Sequence, residues 1–319
     1  MKKGFTFLEL LFVIIVMGLL ANFGTNILVT TYENYSLSTT NNKILTNVEL
    51  TLKQISNRLQ YRIKDSVIAR GAVNGAFTSL SSAPANSRVL EWVGYDIDGW
   101  LGTATNTNPT WSGFIDVNDP GAIASQSDIN SSNSYLESPG SNTANIFATI
   151  AALDNGGAAA PAIFFSGANT DVTQYGWGGA IGTQNQAAHE ITGTLSSSTQ
   201  LATGNAASFT GVDIYENYKL AWTAYSISLE DFNGDGATYR SGPLAGTVIN
   251  DLVLYYDYQP WAGGTAPGGV RRQLLLQNVD TFDFQQQGEV ININICVNQD
   301  DVLGANDGGY SVCEEIAIL

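Results

Sequence analysis

KKGFTFLELLFVIIVMGLLANFGTNILV, residues 2–29, decides how the rest of the chain is read. From Phe5 to Phe23 the polar side chains are Thr6, Glu9 and Asn22 alone. Continued through Ile27, Leu28 and Val29, the run reaches about 25 residues, enough to cross a bilayer as a helix at ~1.5 Å per residue. Lys2 and Lys3 flank it on the side expected to stay cytoplasmic. A secretory signal peptide also starts basic and turns apolar. Two features argue against one: Glu9 interrupts a core that a signal keeps uncharged, and no small-x-small cleavage site follows promptly. A carboxylate within the run costs roughly 2.5 to 3.5 kcal/mol on insertion, so Glu9 is expected to have a partner or a task.

Working outward, Thr30 to Lys43 is polar with weak helix propensity. Periodicity then returns. Ile44, Val48, Leu52, Ile55, Leu59, Ile63 and Val67 form one helical stripe, with Lys53, Arg58, Arg62 and Lys64 on other faces. The first proline is Pro84. One helix is therefore expected from Phe5 to about Arg70, roughly 100 Å long, with Gly71 as its stop. Its first half would anchor in the membrane, and its amphipathic second half would seek a partner surface.

The remaining chain has a different character. Of 319 residues only 13% are charged, 33 are glycine and 44% are hydrophobic, so there is ample material for a core and none of the signature of a disordered chain. Residues 1–72 carry eight basic and four acidic side chains, and the rest carry five and twenty-five. The net charge of −16 repels phosphate backbones and argues against a broad nucleic-acid-binding face. One histidine and two cysteines almost exclude classical zinc sites and His-based triads. With no phosphate-binding loop, dinucleotide fingerprint or nucleophile elbow, no enzyme is expected. His189, in a polar stretch, is expected at the surface.

Short apolar pieces predict strands at Arg88–Tyr95, Ala162–Phe165, Ser208–Ile214 and Leu220–Leu229, with surface loops at Asn130–Ser141 and Thr192–Asn205. Trp92, Trp100, Trp111, Trp177 and Trp222 are read mainly as core, against a lesser reading as a sugar-binding or adhesive face. The carboxy-terminal part is more regular, with strands at Val248–Tyr258, Gln273–Asn278, Asp280–Gln285 and Glu289–Val297, and a short last one at Glu314–Leu319. The fold class is α+β, a long helix packed on an antiparallel sheet.

The residues KKGFTFLEL resemble the class III signal of the type IV pilin superfamily. Basic leader, Gly4, Phe5, Glu9 and a long apolar run occur together and in order. The resemblance implies a leader, residues 1–4, removed after Gly4 by a prepilin peptidase, with Phe5 as the N-methylated new terminus. It implies that Glu9 pairs in the membrane with the amino group of a neighbouring subunit, so two charges costly alone in hydrocarbon offset each other and set the stagger. The expected organisation is then a membrane-spanning half-helix at 5–29, an amphipathic half at 30–71, a variable Gly/Ser/Asn-rich region at 72–247 and a carboxy-terminal sheet at 248–319. LTLKQISNRLQYRIKDS, residues 50–66, and RRQLLLQNVDTFDF, residues 271–284, are similar to PilW-type minor pilins and J-type minor pseudopilins. Retention of Glu9 separates the chain from K-type tip pseudopilins.

Two further sites are expected on the head. Asp231, Asn233, Asp235 and Gly236 match the opening of a calcium loop, in which alternating oxygens and the Ala237 carbonyl would surround the cation. The Glu expected at the twelfth position is missing, Gly242 standing there, and an Asx-rich turn explains the same residues without a metal. The acidic loop with Asp300, Asp301 and Asp307 reads as solvated. Cys296 and Cys313, in an oxidising compartment, could close a loop worth about 3 kcal/mol, similar to the disulfide-bounded carboxy-terminal loop of type IV pilins; two buried thiols are the alternative. The function implied is a minor pilin or pseudopilin, inserted in the inner membrane with a periplasmic head and then assembled with other pilins into a pilus or pseudopilus. The alternative is a pilus-displayed adhesin.

Overall fold

The computed structural model describes residues 6–102, 108–118, 135–154, 160–167, 171–182, 186–194, 197–203, 214–238, 246–266, 271–298 and 311–319. Helix α1 (Phe7–Leu59) is 53 residues long, about 80 Å at the usual rise. Twelve strands follow among the described residues: β1 (Ile68–Arg70), β2 (Phe77–Ser79), β3 (Val89–Tyr95), β4 (Tyr135–Glu137), β5 (Ala162–Phe165), β6 (His189–Thr194), β7 (Gln200–Thr203), β8 (Tyr218–Glu230), β9 (Asn250–Tyr258), β10 (Arg271–Gln287), β11 (Val290–Asn298) and β12 (Ser311–Ile318). Two short helices, α2 (Ile97–Leu101) and α3 (Thr143–Leu153), lie between them. The result is the expected α+β plan, a long amino-terminal helix on an antiparallel sheet head.

The sheet order is β12-β11-β10-β9-β8-β5-β6-β7-β4, with β3, β1 and β2 branching from β8. β8 makes this possible by using both edges: Ala224 faces Val93 of β3 on one side and Tyr258 of β9 on the other. Helix α1 buries Val48, Thr51, Leu52, Ile55 and Leu59, one stripe at helical spacing. That stripe joins Leu90, Trp92, Ile227, Leu254, Phe282, Ile293 and Ile295 in a single core. Along β11, Ile291, Ile293 and Ile295 alternate with Asn292 and Asn294, which puts the apolar face toward α1 and the amides on the opposite face.

The helix ends sooner than its periodicity predicts. It stops at Leu59, not near Arg70, because residues 61–63 pair with the end of β3: Tyr61 O accepts from the Tyr95 amide at 3.0 Å, and the Ile63 amide donates to Val93 O at 2.9 Å. Ile63 and Val67 are still buried, so the apolar stripe continues while the backbone changes. Arg62 closes the joint. It is 4% exposed and donates to the carbonyls of Leu59, Glu289 and Leu319, tying the helix end to the last two strands.

Three other segments differ from expectation. The strands predicted at Gln273–Asn278 and Asp280–Gln285 are one strand, β10, which passes through a left-handed Asn278 (φ 58°) and register shifts on either side of Val279. Asn130–Ser141 and Thr192–Asn205, read as loops, contain β4, half of β6 and all of β7. The predicted strand Ser208–Ile214 falls outside the described residues except for Ile214.

Candidate functional site on the exposed helix

The described chain starts at Thr6, so Gly4 and Phe5 lie outside the described residues. Thr6 is the N-cap of α1, and Glu9 is the third residue of the helix. The Glu9 amide donates to Thr6 Oγ1 at 3.4 Å, and Glu9 Oε2 accepts the Thr6 amide at 3.0 Å. This reciprocal pair satisfies helix-end donors that have no intrahelical partner.

From Phe7 to Tyr35 every side chain is exposed except the half-buried Val16. One window of this helix has a mean hydropathy of 2.3 and none of it is covered by the rest of the chain, so the helix is long and apolar enough to serve as a single-pass anchor. The polar residues of the segment are satisfied locally. Thr25 Oγ1 donates to Ala21 O, Thr31 Oγ1 to Ile27 O, and Asn26 Nδ2 to Asn22 Oδ1. Such bonds lower the cost of placing hydroxyls and amides in hydrocarbon. Gly18 and Gly24 have open space where a Cβ would stand, so no contact within this chain requires a glycine there.

On the head, Cys296 and Cys313 form a disulfide between directly paired residues of β11 and β12. It pins the edge strand to the sheet. Asp300, Asp301 and Asp307 lie outside the described residues.

The Asp231 loop closes on itself. Asp231 Oδ1 accepts the Gly234 amide at 2.9 Å and Oδ2 the Gly236 amide at 2.8 Å, while Asp235 Oδ1 accepts the Ala237 amide. The Ala237 carbonyl, the expected backbone ligand, accepts the Ile249 amide at 2.8 Å. Burial raises the pKa of Asp251 beside the loop, and the charges of Asp231 and Asp235 add to that rise. Among the described residues no three acidic, His or Cys side chains cluster closely enough to hold a metal. What stands in the structure is an Asx-type turn in which each carboxylate still has unused lone pairs.

His189 corrects the sequence reading, being 1% exposed in β6 with its ring 5.0 Å from that of Phe165. Burial pushes its pKa down to about 3, so the imidazole is neutral. Trp92, Trp111, Trp177 and Trp222 fill the interior, joined by Trp261, while Trp100 remains 41% exposed.

Two buried groups escape sequence reasoning. Arg70 Nε lies 3.2 Å from Glu91, both side chains being nearly inaccessible, and Nη2 donates to Trp177 O. Asp96 caps α2 by accepting the Gly99 amide at 3.0 Å, but its Oδ2 is buried without a hydrogen-bond partner. Burial pushes the Asp96 carboxyl up to about 6. The Asp-x-x-Gly text at 96–99 carries the capping signal; nothing in it indicates the burial. Comparison with family models, with curated proteins and with solved structures returns no match.

Proposed function

We propose that the chain is a minor pilin or minor pseudopilin, cut between Gly4 and Phe5 and assembled through α1 into a pilus-like filament. One observation carries the proposal: α1 is a single helix whose apolar first half leaves the head bare while its second half is the spine of the head's core. A head that only needed tethering would be served by any apolar anchor. Glu9 sets this anchor apart, because a carboxylate in hydrocarbon calls for an opposite charge, and a neighbour's amino terminus supplies one at the same depth. Gly18 and Gly24, each costing about 1 kcal/mol in a helix interior, suit close approach by neighbouring helices.

Glu9→Gln tests the ion pair. Glutamine keeps the capping geometry with Thr6 and removes the charge. Processing after Gly4 continues in the variant, and recovery of partner pilins with it from membranes falls. Undiminished recovery overturns the assembly role of Glu9, and failed cleavage assigns Glu9 to recognition by the peptidase.

The adhesive alternative has less support, since four of the five tryptophans that motivated it lie in the interior and only Trp100 is left to form a surface. Calcium at Asp231, Asn233, Asp235 and the Ala237 carbonyl is likewise proposed, drawing on lone pairs that the turn leaves unused.

A further inference from the structure

The residues that interrupt the bare half of α1 are gathered on one side. Between Phe7 and Val29 seven residues are small or polar, and five of them, Gly18, Ala21, Asn22, Thr25 and Asn26, fall within about 140° of arc. Glu9 and Gly24 lie off that face. Through its middle runs a seam at alternating spacings of four and three, Leu11, Ile15, Gly18, Asn22, Thr25 and Val29. Two parallel helices keep one line of contact by that spacing.

Nothing in this chain covers the seam. All six residues are exposed, and the stripe that grips the head, Val48 to Leu59, lies about a quarter turn from Asn22 around the axis. The seam also holds unmet hydrogen-bonding capacity. Asn22 Oδ1 accepts from Asn26 Nδ2 at 3.2 Å, but Asn22 Nδ2 donates to no group among the described residues, and Asn26 Oδ1 accepts from none. Within hydrocarbon no water completes these bonds, so an amide there is satisfied by another helix or stays costly.

We propose that α1 pairs in the membrane with a second copy of this chain, parallel and in register, with the two Asn22 amides hydrogen-bonded across the seam. A second copy is the occupant because Lys2 and Lys3 orient both helices alike, which brings Asn22 to the same depth in each. Each amide then offers the NH2 that the second lone pair of the other's oxygen accepts. Ile15 and Val29 stand seven residues to either side of Asn22, and an Asn set among β-branched residues at that position fixes register and favours two strands. Gly18, with open space where a Cβ would stand, lets the backbones approach closely enough for short amides to meet. Glu9, off the seam, is left to a different neighbour, so the pairing neither requires nor replaces its ion pair. The inference rests on α1 being an anchor and not on processing after Gly4.

The test places the full chain in phosphatidylcholine vesicles at high lipid excess. Under mild oxidation Ile15→Cys and Val29→Cys give cross-linked dimers, and Leu20→Cys, on the opposite face, gives few, because a disulfide forms only between closely apposed residues. Asn22→Leu weakens association, read by energy transfer between labelled copies, by roughly five- to thirtyfold. Asn22→Gln, which keeps an amide, restores most of it. Head melting stays unchanged in each variant, which separates lost pairing from unfolding. Equal cross-linking of Leu20→Cys, undiminished association of Asn22→Leu, or a trimer overturns the proposal. A chain that inserts but finds no second copy overturns it in favour of an amide-bearing helix of another protein. A chain that the vesicles fail to retain overturns the anchor reading and the pairing with it.

Discussion

The two halves of α1 obey the same backbone geometry and opposite solvents. Between Phe7 and Val29 the apolar side chains point all round the helix and, save the half-buried Val16, stay exposed, whereas between Val48 and Leu59 the apolar side chains form one inaccessible stripe with the exposed Leu50 alone lying off it. An all-round apolar surface suits a medium that is apolar on every side, and a stripe suits a helix with a core on one side and water on the other. The difference shows how residue pattern alone divides one unbroken helix into a half long and apolar enough to cross a membrane and a half that belongs to a protein interior. It also predicts that the halves respond differently to every perturbation of the head.

The largest contrast comes from truncating the buried stripe. Leu59→Ala or Ile55→Ala should cost the head about 2 to 5 kcal/mol, read by denaturant unfolding of the detergent-solubilised chain. Leu11→Ala or Leu19→Ala, in the bare half, should change the same transition by less than about 0.5 kcal/mol. Equal effects in the two halves would break the comparison.

Next in size is the disulfide. β12 lies between α1 and solvent at the sheet edge, so reduction or Cys296→Ala with Cys313→Ala should lower head stability by about 3 kcal/mol. Hydrogen exchange should show β12 opening ahead of the rest of the sheet, with the bare half of α1 unaffected.

pH sharpens the contrast further. Asp96 has its folded-state pKa raised to about 6 by burial, from an ordinary value of 3.8. The folded state therefore holds its proton more tightly than the unfolded chain. Its contribution favours folding below pH ~4 and is lost as pH rises through about 6, a swing of about 3 kcal/mol for one buried carboxyl. Asp96→Asn should flatten this slope and raise the melting temperature at neutral pH, since its amide no longer carries a buried charge. An unchanged slope would relocate the effect to other buried acids, Glu91 first.

The smallest expected effect is calcium. At a tenfold excess over its dissociation constant, binding adds about 1.4 kcal/mol to head stability, and Asp235→Ala should abolish the gain. A melting temperature indifferent to calcium leaves the Asp231 loop as a turn.

Much of this division was legible in the sequence, and the physical reasons are specific. The bare half follows from length and apolarity, and the gripped half from the spacing of Val48, Leu52, Ile55 and Leu59. Ala162–Phe165 is bounded by turn residues and read directly, and the strand read at Glu289–Val297 is β11 to within one residue at each end. The helix end did not, because Ile63 and Val67 keep helical spacing while serving a strand-paired segment, a tertiary choice that periodicity does not encode. β10 was divided in two because Asn278 and Asp280 break its apolar pattern, although a left-handed Asn278 carries the strand through. Burial of His189 was invisible because Ala188 and Glu190 beside it are small or polar, and burial of Asp96 because the Leu220 and Trp111 that meet its backbone come from distant parts of the sequence.

The central claim is that the bare half of α1 begins, in the working protein, at Phe5. Intact mass and amino-terminal sequencing of protein extracted from membranes test it directly. The account predicts a chain starting at N-methylated Phe5, shorter than the translated product by Met1 to Gly4. A chain that keeps Met1, or one cut after about residue 20 as a secretory signal would be, contradicts it.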